Sequence, residues 1–131
     1  MWKADGWRDF ALLDCGNGEK LEKWGPYRLV RPDPQAIWEP VGRDDGWKHC
    51  DARYNRSNTG GGAWENRKLP EGAVRDGWKI AYRNLTFLVR PMSFKHTGIF
   101  PEQAANWDFV TARTTRRLAA GKPMRILNLF A

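Results

Sequence analysis

The tetrapeptide Cys15-Gly16-Asn17-Gly18 limits the fold more than any other stretch of this chain. Its glycines and asparagine tolerate the positive φ that a tight hairpin demands. It lies between two short strand-like runs, Phe10 to Asp14 and Lys20 to Trp24. A turn that short joins antiparallel neighbours only, so the chain is expected to open as a β-hairpin. Gly25-Pro26 makes the next turn, and Tyr27, Leu29 and Arg31 then share one face of a third strand. Pro32 and Pro34 donate no backbone hydrogen bond and end this meander.

From Glu39 to Ala73 the apolar periodicity fades and Gly, Asn, Asp and Arg dominate. That composition predicts loop around one or two edge strands, at Asp51 to Arg56 and Ala63 to Arg67. Gly60-Gly61-Gly62 is expected as a mobile tip and not as a phosphate cradle, because no helical pattern follows it. A second hairpin is predicted from Trp78 to Tyr82 and Leu85 to Val89 across Arg83-Asn84, with Pro91 as its stop.

Beyond Pro91 the period changes. Pro101 suits a first helical position and Glu102 the positive end of the helix dipole, while Ala104, Trp107, Thr111, Thr114 and Leu118 recur at helical spacing. Arg113, Arg116 and Arg117 gather toward the helix C-terminus, which Gly121 and Pro123 close. The run from Met124 to Phe130 then predicts a strand buried on both faces, the way an α/β parallel domain opens. The fold class expected is therefore α+β: a β-rich antiparallel N-terminal module over residues 1–92, then, over 93–131, a linker and the first helix and strand of a truncated Rossmann-like domain.

A chain of 131 residues has room for one domain or for one small domain and the start of another. No stretch approaches the roughly 18 consecutive apolar residues of a membrane span, and the start lacks a secretory apolar run, so a cytoplasmic protein is expected. Cys15 and Cys50 form no CxxC pair and have only His49 and His96 as imidazole company, a set that argues against zinc. Their spacing permits a disulfide between them, but both are expected as buried small hydrophobes with free thiols. The net charge of +7 favours a polyanionic partner, with nucleic acid foremost. The eight tryptophans are expected mainly in the core, although Trp interleaved with Arg and Lys also suits a single-stranded RNA platform. An RNA face, if present, is expected along Lys20, Lys23, Arg28 and Arg31 of the first meander.

Four separated segments carry a resemblance to a known family. They run from Asp14 to Gly25, from Arg31 to Trp38, from Phe94 to Asp108 and from Arg125 to Ala131. In that order they resemble one bacterial family of class I S-adenosylmethionine-dependent methyltransferases. More distantly the chain is similar to large-subunit ribosomal RNA methyltransferases that modify cytosine C5 or guanine N7. The resemblance implies S-adenosylmethionine as cofactor, ribosomal RNA as partner and substrate, and a role in rRNA processing. It further implies that Arg125 to Phe130 correspond to the first strand of the methyltransferase sheet, with the cofactor loop and catalytic segment falling beyond Ala131. On that basis the fragment alone is expected to be inactive and to hold no catalytic residue.

One near-cofactor motif is matched by Thr97, Gly98, Phe100, Glu102 and Gln103. The resemblance implies that His96, Thr97, Phe100, Glu102, Gln103, Phe130 and Ala131 lie at the cofactor. A glycine there lets backbone approach a ligand, and an aromatic ring can cover the adenosyl end. The ribosomal RNA enzymes carry Arg after that Gln, whereas this chain has Ala104. His96 taken alone fits a structural hydrogen-bonder equally well. The alternative to the enzyme fragment is a non-enzymatic basic RNA-binding β module.

Overall fold

The computed structural model describes residues 3–42 and 45–129. The chain divides into two units, one formed by Trp7–Ile99 and the other by Met1–Gly6 together with Phe100–Ala131.

The first unit holds a five-stranded sheet in the order β1 (Phe10–Gly16), β2 (Glu19–Trp24), β3 (Tyr27–Pro32), β4 (Ala52–Arg56) and β5 (Gly62–Asn66). Its first turn has the geometry expected from the sequence. Asn17 (φ 51°) and Gly18 (φ 76°) are both left-handed, and Gly16 pairs with Glu19 across them, the arrangement of a two-residue hairpin loop. Gly25 (φ 63°) turns β2 into β3, where Trp24 faces Tyr27. A separate two-stranded hairpin is built from β6 (Trp78–Tyr82) and β7 (Leu85–Val89), with Tyr82 opposite Leu85. Two short helices, α1 (Gly46–His49) and α2 (Glu71–Asp76), fall in stretches where the sequence showed no helical period.

Two expectations about the sheet are corrected. The module is not wholly antiparallel, because β3 and β4 pair in parallel, Leu29 with Ala52 and Val30 with Arg53. Parallel neighbours need a long crossover, and the loop from Asp33 to Asp51 supplies one. For the same reason β4 is an interior strand, flanked by β3 and β5, and not an edge.

Strand alternation sorts side chains onto two faces, and both are covered. On one face Trp24, Leu29 and Ala52 pack with Leu69, Ile80 and Val89, joined by Trp7, Phe10, Tyr27, Trp64, Trp78, Phe87 and Ile99. Four of the seven described tryptophans, Trp7, Trp24, Trp64 and Trp78, go here. Trp78 Nε1 donates to the Trp24 carbonyl at 2.9 Å, tying β6 to the sheet. On the other face Leu21, Val30 and Cys50 pack with Leu13 and Trp47. A bulge between Leu12 and Asp14 lets Leu13 and Asp14 both serve this second face. Cys15 and Cys50 are free thiols, the first half-buried and the second buried.

The first unit runs past residue 92 because the following loop is tied back to it. Arg90 N–H donates to the Thr97 carbonyl and Met92 N–H to that of His96, while Trp64 Nε1 reaches the Met92 carbonyl at 2.8 Å.

In the second unit Pro101–Gln103 form a 3-10 turn that leads into α3 (Ala104–Ala119). Gly121 adopts φ 63° and ends it, with the Gly121 amide donating to the Leu118 carbonyl. The strand expected from Met124 to Phe130 is not formed over its described part. Residues 122–128 carry no regular structure, and Ile126 (62%), Leu127 (83%) and Leu129 (76%) are exposed rather than buried. A strand needs a hydrogen-bonded neighbour, and among the described residues none pairs with this segment. No described helix is long and apolar enough to cross a membrane.

Candidate functional site

Strand β4 carries Tyr54 and Arg56 up to the turn formed by Ser57–Gly61, which closes on itself through Ser57 N–H to the Gly61 carbonyl (3.2 Å). Facing it is the 91–97 loop, where Phe94 holds φ 59°, a conformation that large side chains seldom adopt. Arg31 Nη1 donates to the Lys95 carbonyl at 3.0 Å and Lys95 Nζ to the Pro32 carbonyl at 3.1 Å, pinning the loop over the end of β3. Between turn and loop lies a cleft of about 400 Å³. One wall comes from Tyr54, Arg56, Ser57, Gly60 and Gly61, the other from Phe94, Lys95 and His96.

Two cations, Arg56 and Lys95, border the cleft. Glu22 is buried (2% exposed), and its carboxylate takes two hydrogen bonds from Arg31, at 2.6 and 2.9 Å, and one from Trp24 Nε1 at 3.0 Å. That pair neutralises Arg31, whose guanidinium also stands 5.0 Å over the Trp24 ring. Lys20 is shared between Glu22 (3.4 Å) and Asp33 (3.9 Å). No carboxylate lines the cleft among the described residues. Burial, and then the nearby charges of Lys20, Arg56 and Arg31, push the Lys95 ammonium below its ordinary range, with Asp33 opposing.

A second, larger cleft of about 670 Å³ lies beside the C-terminal end of α3, bordered by Arg113, Arg116, Arg117, Lys122 and Arg125. Arg117 Nε caps the Pro123 carbonyl at 2.7 Å. Cations there meet the negative end of the helix dipole, which accounts for their placement without a ligand.

On the opposite side of the sheet Asp14 organises the loop after Trp38. Its carboxylate accepts from Trp47 Nε1 (2.8 Å) and from the Cys15, Gly42 and Val41 amides. Those donors, Trp47 first, hold its carboxyl below the usual carboxylate range against the effect of burial. The arrangement is structural, since every acceptor position faces the protein's own donors.

The four cations expected to form an RNA face do not form one. Lys20 and Arg31 are partners across β2 and β3 and share one face, whereas Lys23 and Arg28 are partners on the other. Arg31 is 7% exposed and committed to Glu22, so it reaches no ligand. Strand alternation alone forbids Lys20 and Lys23 from a common surface. The expected cofactor set is divided as well. His96 is exposed and lines the cleft, and Thr97 is fully buried with Oγ1 lacking a hydrogen-bond partner; both belong to the first unit. Phe100, Glu102 and Gln103 open the second unit and are exposed. Phe130 and Ala131 lie outside the described residues. Neither of these two clefts is bordered by Thr97, Phe100, Glu102 or Gln103. Among the described residues no group of three or more His, Cys, Asp and Glu could hold a metal ion.

Sequence reasoning missed Tyr54, Arg56, Phe94 and Lys95 as a group. Their meeting depends on the parallel pairing of β3 and β4, a contact between segments far apart in sequence.

No protein-family model matches the chain, and no curated protein does. Among solved structures it is similar to a protein described as a SAM-dependent methyltransferase from Agrobacterium tumefaciens, with 38% identity and a TM-score of 0.74. The match covers 85% of this chain and 34% of that one, so the chain spans about a third of the length of the methyltransferase it matches. At this identity the likeness extends beyond fold, and it relates the chain to part of a SAM-dependent methyltransferase.

Proposed function

We propose that this chain is one part of an S-adenosylmethionine-dependent methyltransferase of the cytoplasm whose substrate is ribosomal RNA. The observation that carries the proposal is the 38% identity, at a TM-score of 0.74, to a methyltransferase of which the chain spans only 34%. On this reading the cofactor pocket is completed by the rest of the enzyme, with Phe100, Glu102 and Gln103 of the second unit contributing to its edge. Residues 124–130, of which 125–129 are exposed here, supply the first strand of the larger Rossmann-like sheet. The β unit orients the substrate, no catalytic step is assigned to a residue of this chain, and the chain alone transfers no methyl group.

The choice of RNA as acceptor is supported by the net charge of +7 and by the carboxylate-free cleft at Arg56 and Lys95. The test is to incubate the longer polypeptide containing this chain with S-adenosylmethionine bearing a tritiated methyl group, in the presence of ribosomal RNA and total cell protein. Label recovered in RNA is expected. Label confined to protein or to small molecules, or a gene that ends at Ala131, overturns the proposal.

A further inference from the structure

We infer that the cleft between the β4–β5 turn and the 91–97 loop binds one nucleotide of single-stranded RNA, its phosphodiester held by Arg56 and Lys95 and its base laid against Phe94. The inference rests on the RNA part of the proposed function and deepens it by naming where RNA docks; it does not depend on the methyltransferase relationship.

Three observations converge. First, the cations are available. Arg56 is exposed and makes no ion pair among the described residues, and the one hydrogen bond of the Lys95 ammonium goes to a neutral carbonyl, that of Pro32. The neighbouring cations differ, because Arg31 is cancelled by Glu22 and Lys20 leans on Glu22 and Asp33. An anion entering the cleft would find two positive charges and no carboxylate among the lining residues, Asp33 being the acidic group whose charge reaches Lys95.

Second, the aromatic ring is presented. Phe94 is 63% exposed and sits at φ 59°. An uncovered phenyl group on a left-handed backbone is doubly unfavourable, and such positions persist where surrounding structure enforces them, commonly at ligand sites. Here the enforcing contacts are visible: Trp64 holds the Met92 carbonyl and Arg31 the Lys95 carbonyl, on either side of Phe94. Third, the size fits. A cleft of about 400 Å³ lies within the range of roughly 300–1,000 Å³ typical of small-ligand sites, enough for one nucleotide and too small for a folded duplex segment. Cations beside an exposed ring are what single-stranded nucleic acid needs, since every base offers a π-face and every nucleotide a charge. An acidic peptide would use the cations and leave the ring idle.

The test is a fluorescence-anisotropy titration of a short labelled single-stranded RNA with the 131-residue chain at several salt concentrations, repeated with heparin as a polyanion that has no bases. Arg56→Glu and Lys95→Ala are each expected to weaken RNA binding by roughly fivefold or more, and to reduce the slope of log affinity against log salt by about 0.7 per lost phosphate contact. Phe94→Ala is expected to weaken RNA by roughly fivefold while leaving heparin unchanged. The pair Arg116→Ala and Arg117→Ala on α3 is expected to leave RNA affinity as it was. Lys95 also holds the Pro32 carbonyl, so its removal could loosen the loop; Arg56 is exposed, and Arg56→Glu decides the matter if the lysine variant melts early.

Unchanged RNA affinity in Arg56→Glu overturns the inference, as do equal losses from the α3 pair. A Phe94→Ala effect identical for RNA and heparin overturns the base-stacking half and with it the assignment of a nucleotide. Absence of RNA binding by the chain overturns it too, even where the longer polypeptide labels ribosomal RNA. RNA binding through this cleft with methyl label found only in protein leaves the inference standing and sinks the proposed function instead.

Discussion

The β unit and the helical unit use apolar residues in opposite ways. In Trp7–Ile99 both faces of one sheet are covered, and Leu21, Trp24, Leu29, Val30, Ala52 and Val89 are fully buried. In the second unit α3 buries Ala104 alone, while Phe109, Val110, Leu118, Ile126, Leu127 and Leu129 stay exposed. Hydrophobicity is similar in kind in the two regions, so the difference lies in whether a second layer exists to close over it. Helices of this length gain most of their stability from such packing. The β unit is therefore expected to behave as the folding core, with residues 7–99 alone melting cooperatively at nearly the temperature of the whole chain.

The largest effects should come from breaking the β core. Trp24 is fully buried, packs edge-on to Phe10 at 4.9 Å and bonds Glu22, so Trp24→Ala is expected to cost about 3–5 kcal/mol by urea denaturation. A loss below about 1 kcal/mol would remove Trp24 from the centre of that core. Next comes Glu22→Ala, which strands the buried Arg31 guanidinium without its carboxylate. Breaking one side of a buried pair costs about 3 kcal/mol or more. Glu22→Ala with Arg31→Met should recover part of that loss, and a double variant no better than the single one would show that the pair is not the source.

Asp14 gives a smaller effect with a pH signature. Its folded carboxyl titrates below the usual range, so it favours folding above the unfolded pKa of about 3.9 and that contribution disappears as pH falls through the folded value. Asp14→Asn keeps one acceptor oxygen but loses the charge that draws the Trp47, Gly42, Val41 and Cys15 donors together. About 1–2 kcal/mol is expected to be lost at neutral pH. The gap between variant and parent should narrow below about pH 4, and urea midpoints taken from pH 7 to pH 3 would show it. Parallel curves would mean that Asp14 does not titrate as its hydrogen bonds require.

Local chemistry made much of the β unit legible. Asn17-Gly18 and Gly25 announce their turns, and the predicted spans of β6 and β7 match the strands found, because hairpins are fixed by residues close in sequence. The parallel partnership of β3 and β4 was hidden, since nothing between Asp33 and Asp51 marks a crossover and the contact is non-local. That omission also hid the cleft, whose walls come from β4 and from the loop before Thr97. The basic meander is illegible for a related reason: the order of charges along the chain does not show which cations see solvent, which alternation and Glu22 decide. At the C-terminal end Met124 to Phe130 has the composition of an interior strand. Composition states what a segment needs, and pairing depends on a neighbour that the described residues do not include.

The smallest expected effect separates the two units most sharply. Leu127 is 83% exposed, so Leu127→Ala should change the stability of this chain by less than about 0.5 kcal/mol. In the longer polypeptide of the proposed function the same residue is expected in an interior strand, where truncating a buried leucine costs about 2–5 kcal/mol. Urea denaturation of both proteins, each with and without the substitution, gives the two differences directly. A near-zero change in the longer polypeptide would mean that residues 125–129 remain uncovered there as well, and the sheet assigned to them would have to be built from other strands. A large change in this chain alone would instead show that Leu127 is already buried in solution, and the contrast between a closed β unit and an open helical one would fail at the residue that defines it best.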